Sequence, residues 1–269
     1  MRTNPNQFLN QQYVNSSRLD TRIRLHKIYS TNRIDWHEWV FDNIQFADES
    51  NIIEFGCGSG YLWTENLMKI RENWCITLTD FSKGMVSQAR QNIRKKQNIT
   101  FKEMDIQATH LEDSLFDIVI ANHMLYHVPN IETALKEVQR ILKPNGLFYA
   151  ATNGNSHMKE IYHFVKEFDS SLPFIKPVNS KHFGLENGEK VLRNSFKRVQ
   201  LLKYESNLRV TNVQDLADYI FSIDTGFGDA LNKQGRYDQF ISFLESKKNA
   251  QGYIHISKDS GMYVVSEPY

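Results

Sequence analysis

The sequence predicts an α/β fold on a mostly parallel sheet with helices on both faces, and three observations predict it. Short apolar runs alternate with amphipathic stretches from residue 51 to residue 152, the pattern that right-handed strand–helix–strand crossovers require. The first run ends in a glycine-rich turn, Gly56-Cys57-Gly58-Ser59-Gly60. The second ends in an acid, Asp80, 20 residues beyond Gly60. In a doubly wound sheet ligands bind beyond the carboxyl ends of the strands, so both features fall where a ligand would sit.

Residues 1–15, rich in Asn and Gln, read as a loose leader. From Leu19 to about Phe46 the pattern is helical, interrupted by Tyr29-Ser30-Thr31-Asn32, a cluster that favours a turn or cap. That stretch is expected to lie over the main domain as a cover. Strands are expected at 51–55, 75–79, 99–102, 116–121 and 147–152. Between them Ser82 can cap a helix carrying Met85, Val86, Ala89 and Ile93 on one face. The clearest helix follows Pro129-Asn130, with Ala134, Leu135, Val138 and Ile141 at helical spacing, and Lys143-Pro144-Asn145-Gly146 ends it. Beyond it come an amphipathic helix over 158–168 and two more strands, 199–204 and 262–265, bringing the expected sheet to seven. Helices beginning near Asn212 and Tyr237 fall between those last strands and predict a helical lid. One domain over 1–269 is expected, with a cover at 1–46, a ligand-binding half at 47–152 and a substrate-side half at 153–269.

Hydrophobic residues make up 41% and charged residues 23%, which supports a packed core. The 32 basic and 31 acidic residues nearly cancel, which disfavours a nucleic-acid partner. Cys57 and Cys75 are the only cysteines and show no metal-ligand spacing. The first thirty residues hold no apolar run of the signal-peptide kind, and nowhere do about 18 apolar residues follow one another. A cytoplasmic protein with no membrane span is the expectation.

Alternating glycines directly after an apolar strand let a backbone approach a ligand closely, because a side chain would fill that space. Dinucleotide sites use GxGxxG; here the spacing is GxGxG, followed by the bulky Tyr61. Asp80 could accept from ribose hydroxyls, which fits NAD equally well, or could simply be a helix N-terminal acid.

The combination resembles the class I S-adenosylmethionine-dependent methyltransferases, particularly the small-molecule group that includes the ubiquinone and menaquinone methylases. The matching pieces are Glu54 to Gly60, Asp80-Phe81-Ser82 with Met85 and Ala89-Arg90, Asp105-Ile106, Phe116-Asp117-Ile118-Val119 and Leu142-Lys143-Pro144-Asn145-Gly146-Leu147. The resemblance implies a Rossmann-like fold with S-adenosylmethionine as cofactor. It implies that Gly56, Cys57, Gly58 and Gly60 wrap the methionine portion and that Glu54 helps orient its ammonium. Asp80 would bind the ribose, Phe81 and Met85 would pack on adenine, and Asp105, beside Ile106, would accept from the exocyclic amine. Asn122 would touch the methionine end by its backbone. Tyr29 resembles N-terminal residues that close over the cofactor carboxylate, although a core or capping tyrosine reads equally well.

Methyl transfer needs the acceptor held in line with the sulfur, and a hydroxyl or acidic carbon also needs a base. His123, Tyr126 and His127 follow the fourth strand and are the catalytic candidates, with a pocket-shaping role as the alternative. The spacing of His123 and His127 would suit a metal only on a helix, and Pro129 argues for a loop; no metal is expected. Asn122-His123-Met124-Leu125 replaces the Asn-Pro-Pro-Tyr type of motif that amino-methylating DNA and glutamine enzymes place there. The basic run Arg90, Arg94, Lys95 and Lys96 reads as a solvated helix end. Phe164, Phe168, Tyr219, Phe221 and Phe227 lean towards an apolar or aromatic acceptor, although rings at such spacing also build cores. A small-molecule acceptor is therefore expected. An RNA or protein methyltransferase, a non-catalytic cofactor-binding subunit and an NAD-dependent oxidoreductase are the alternatives.

Overall fold

The structure is a computed structural model that describes residues 17–93, 97–172, 174, 182–223 and 225–269. The leader expected at 1–15 and the basic residues Arg94, Lys95 and Lys96 lie outside the described residues.

Helices α1 (Ser17–Tyr29) and α2 (Trp36–Asp42) precede the sheet. Then follow β1 (Ser50–Phe55), the short α3 (Tyr61–Thr64), β2 (Trp74–Asp80), α4 (Lys83–Asn92), β3 (Ile99–Glu103) and β4 (Phe116–Asn122). Next come α5 (Ile131–Ile141), β5 (Leu142–Asn153), α6 (Lys159–Phe168), α7 (Gly188–Leu192), β6 (Phe196–Tyr204) and β7 (Asn207–Val210). The chain ends with α8 (Val213–Ile223), α9 (Thr225–Lys233), α10 (Tyr237–Glu245), β8 (Ile254–Ser257) and β9 (Ser260–Pro268).

Seven strands form one sheet in the order β3-β2-β1-β4-β5-β9-β6. The first five run parallel, and β9 inserts antiparallel between β5 and β6. All seven expected strands are present. β1 lies at the centre, flanked by β2 and β4, and buries both faces, which is why its sequence is an apolar run rather than an alternation. Strand order reverses beside β1, which places the ligand crevice at its carboxyl end.

Two apolar clusters line the sheet. Trp36, Val40 and Phe41 of α2 pack with Trp63, Trp74 and Ile52 on one face; Leu135, Val138 and Ile141 of α5 pack with Val119 and Phe148 on the other. The expected cap at Ser82 forms, its Oγ accepting from Met85 N–H; Asn130 Oδ1 accepts from Thr133 N–H and Asn212 Oδ1 from Gln214 N–H in the same manner. The segment Lys143 to Gly146, expected only to stop α5, is also the start of β5. Leu142 already pairs with Phe116, and the register shifts before Ile118 meets Leu147, because Pro144 lacks an N–H and the chain bulges around it.

The insertion between β6 and β9 differs from a purely helical lid. It opens and closes with the antiparallel hairpin β7–β8 and carries a third helix, α9. A separate apolar cluster joins Leu25 and Tyr29 of α1 to Leu208, Leu216, Ile220, Phe227, Phe240 and Ile256 of the insertion. Phe168, Phe221, Phe227, Phe240 and Phe243 pack on one another with ring centroids 5.1–6.4 Å apart. These rings are the lid's own core, so the lean towards an aromatic acceptor loses its basis in them. Among the described residues no helix is long and apolar enough to cross a membrane.

Phe240 is fully buried and touches four of those rings. Phe240→Ala is expected to cost about 3–5 kcal/mol in equilibrium urea unfolding, because neighbouring rings cannot collapse into the cavity. A loss below about 1 kcal/mol would show that the lid cluster is loosely packed.

Candidate functional site

At the carboxyl end of β1 the chain turns through three glycines with left-handed backbones, φ +66° at Gly56, +55° at Gly58 and +82° at Gly60. A side chain is excluded for a second reason. A Cβ on Gly56 would lie 2.6 Å from Met124 Cβ, and one on Gly60 would lie 2.8 Å from Ile93 Cδ1. The turn is therefore wedged between the segment after β4 and the end of α4.

Hydrogen bonds fix its shape. Cys57 N–H donates to Thr79 O at 2.9 Å, and Gly60 N–H donates to Cys57 O at 2.9 Å. The Asp80 carboxylate accepts from Gly58 N–H at 2.9 Å through one oxygen and from Ser82 N–H at 2.8 Å through the other. One acid thus pins the glycine turn of β1 to the start of α4. Asp80 closes the local turn at α4, as a helix N-terminal acid does, and it stands against the glycine backbone at the crevice. Burial raises its proton affinity, and the two backbone donors oppose that rise.

Glu54, one residue before the end of β1, is buried and accepts from the Trp63 indole N–H at 2.6 Å. Burial pushes its carboxyl up to about 8, Asp80 adds to the rise, and the Trp63 bond works against it. Burial likewise pushes the Cys57 thiol up, so that residue serves the turn by its backbone.

Of the two neighbours implied for adenine, Phe81 is 44% exposed at the crevice, whereas Met85 is 1% exposed under α4 and presents no open surface. Ile106 is buried in the same way. Asp105 holds a local turn: one oxygen accepts from Gln107 N–H at 2.8 Å, and both lie within 3.1–3.2 Å of its Nε2. Asn122 sits at the end of β4, and its Oδ1 accepts from Trp36 Nε1 at 3.3 Å, which ties the cover to the crevice.

Of the two readings of Tyr29, its position fits the core or capping one. Leu19 is the α1 residue that meets the glycine turn, its Cδ2 3.3 Å from a Cβ on Gly58. Tyr29 lies ten residues further on, about 15 Å along the helix. Its hydroxyl donates to Asp215 at 2.5 Å, so it anchors α1 to α8 instead of closing over the glycine turn.

His123, Tyr126 and His127 do gather at the end of β4, in a tight turn rather than a long helix. His123 has φ +56°, a strained conformation for a side-chain-bearing residue. Its ring centroid is 4.9 Å from that of Trp36 and 6.4 Å from that of Tyr126, and its Nδ1 is buried with no hydrogen-bond partner among the described residues. Burial lowers its proton affinity to about 3, with His37, Lys258 and His127 pushing the same way. Burial, helped by Arg22, lowers that of His127 to about 4. Both are neutral imidazoles near pH 7.

Four polar residues that the sequence did not single out converge here: Arg22 and His26 on α1, His157 before α6, and Lys258 in the β8–β9 turn. They lie up to 236 positions apart in the chain, so no spacing could announce them.

Residues 53–150 match the family model described as a methyltransferase domain. The sheet order makes the chain a Rossmann-like α/β protein, and this match covers the strands that carry the glycine–aspartate crevice. Among curated relatives it is 26% identical over 147 residues to malonyl-acyl-carrier-protein O-methyltransferase 2 of Ilyobacter polytropus, covering 55% of this chain and 54% of that one. It is 28% identical over 155 residues to demethylmenaquinone methyltransferase of Staphylococcus haemolyticus, covering 57% and 63%. The chain thus spans between half and two thirds of those relatives' length. Among solved structures, the 4+2 cyclase SpnF superposes with TM-score 0.59 at 16% identity over 97% of this chain and 96% of that one. Phosphoethanolamine N-methyltransferase 2 of Haemonchus contortus, in complex with S-adenosylmethionine, superposes with TM-score 0.58 at 14% identity over 99% and 60%.

Glu54 gives a test of the buried acid. Its folded proton affinity lies above the ordinary 4.5, so the fold loses stability as pH rises from about 4.5 towards 8, where the unfolded carboxyl ionises and the buried one does not. Glu54→Gln keeps an acceptor for Trp63 and is expected to flatten that part of the stability profile in thermal melts, leaving the slope due to Asp80. An unchanged slope would show that Glu54 is ionised in the fold.

Proposed function

We propose that this chain is an S-adenosylmethionine-dependent methyltransferase that transfers the methyl group by direct displacement to a small molecule. The observation that carries the reading is the left-handed glycine turn held against Asp80 at the carboxyl end of the central strand. The residues present fit that cofactor: the turn offers backbone with no side chain in the way, the Asp80 oxygens retain lone pairs for ribose hydroxyls, and Phe81 offers an exposed ring for adenine. The GxGxG spacing and Tyr61 fit a dinucleotide less well. The methyltransferase relatives support the reading.

When bound, the cofactor supplies an electrophilic methyl carbon on a sulfonium. The protein's own part is mostly geometric. Glycines 56, 58 and 60 and Asp80 would hold the donor, while the turn at 123–127 and the cover would hold the acceptor in line. Positioning of this kind is worth up to about 7–11 kcal/mol in the best intramolecular cases. The cover and lid would limit the access of water to the acceptor. If the acceptor must lose a proton, neutral His123 or His127 can take it. Their low proton affinity makes them weak bases until an acceptor alters their surroundings. Tyr126, with its ring centroid 4.6 Å from that of His127, would orient that imidazole. We read residues 1–269 as one domain in the cytoplasm, acting on a diffusible acceptor rather than on RNA.

Isothermal titration tests this. S-adenosylmethionine is expected to bind and NAD is not; the reverse result would make the chain an oxidoreductase. Asp80→Ala is expected to weaken S-adenosylmethionine by about 1–3 kcal/mol, roughly five- to 150-fold in Kd, with the fold checked by circular dichroism. Unchanged affinity would remove Asp80 from the ribose.

A further inference from the structure

Between cover, sheet and lid several basic and imidazole side chains gather, and the carboxylates near them are bound to other groups. On α1, Arg22 reaches Ser222 O only at 3.4 Å, and its Nε is buried with no hydrogen-bond partner among the described residues. One turn later His26 is half-buried, with a buried and unpartnered Nδ1, its ring centroid 5.9 Å from that of His157 and 5.7 Å from that of Tyr219. His123 brings a third unpartnered buried nitrogen from the far side. Lys258 turns its ammonium over the Tyr204 ring at 4.9 Å and makes no ion pair with a described residue.

These groups act on one another. After burial, Lys258 is the largest influence lowering the proton affinity of His26 and of His157, and Arg22 acts in the same sense on His127. Nearby carboxylates are already engaged. Asp35 partly offsets Lys258 but accepts from His37 N–H at 2.8 Å and faces its Nδ1 at 3.2 Å. Asp215 takes the Tyr29 hydroxyl and Arg24. Glu160 takes the Ser257 hydroxyl and N–H, and Asp259 Oδ2 accepts from Ser156 N–H. A half-buried cation and buried imidazole nitrogens without partners are costly unless something else completes them.

We propose that this belt seats an anionic group of the methyl acceptor, a carboxylate or a phosphate, between Arg22 and Lys258, with His26 and His123 donating ring N–H bonds to it. The belt stands at the carboxyl ends of β4 and β5, beside the glycine turn. Seating the anion there would leave the rest of the acceptor facing the place where the methyl group is presented, and in that respect the inference rests on the proposed methyl transfer. An anion would also raise the proton affinity of the neighbouring imidazoles, bringing them into the range of a useful base.

The test is calorimetric titration of benzoate, phenyl phosphate and the uncharged benzamide, with and without saturating S-adenosylhomocysteine. At least one anion is expected to bind about tenfold or more tightly than benzamide. Arg22→Met and Lys258→Met, which keep an apolar stem, are each expected to weaken that anion by at least about fivefold while leaving S-adenosylhomocysteine binding unchanged. Equal binding of benzamide, no binding of either anion, or anion binding indifferent to both substitutions in folded protein would overturn the proposal. Failure of S-adenosylhomocysteine to bind would sink the methyltransferase reading alone, because the titrations without it judge the belt separately.

Discussion

The bond from Gly58 N–H to the Asp80 carboxylate is the constraint on which the crevice depends. It joins the ends of two neighbouring strands at the point where the sheet reverses its order, and it does so through a backbone that only glycine adopts comfortably. The second Asp80 oxygen fixes the start of α4, whose Ala89 and Ile93 then close against Gly60. Glycine turn, acid and helix therefore form one unit, and the packing that shapes it is the packing that leaves its outer face bare.

The sheet was legible because each strand buries both faces or ends at a strong turn signal. Ile52-Ile53 and Ile118-Val119-Ile120-Ala121 are apolar without alternation, as expected of parallel strands flanked by helices. The hairpin β7–β8 was not legible. Its two strands are four residues each, and 43 residues separate Val210 from Ile254, so no hairpin turn marks them. Helix α9 begins among Thr225, Gly226 and Gly228, residues with poor helix propensity, and is held by burial of Phe227 and Leu231 in the lid cluster.

The site divides along the same line. Glycines 56, 58 and 60 and Asp80 could be read because they are local and their backbone demands are specific. Met85 and Ile106 carry the right residue types yet lie sealed in the core, which composition could not tell from pocket lining. Arg22, His26, His157 and Lys258 are brought together only by the way α1 and the insertion dock. The family match covers residues 53–150, the half that carries the glycine turn and Asp80, and the fold also appears in a protein described as a cyclase.

Tyr29, Arg24 and Asp215 bind α1 to α8, and Thr31 and Asn207 exchange two further bonds at 2.8 Å between the cover's turn and β7. Cover and insertion are consequently stitched into a single flap, although the whole sheet-forming half separates them in sequence. A substitution at that seam would therefore loosen cover and insertion together, while the sheet keeps the strand pairing that holds it.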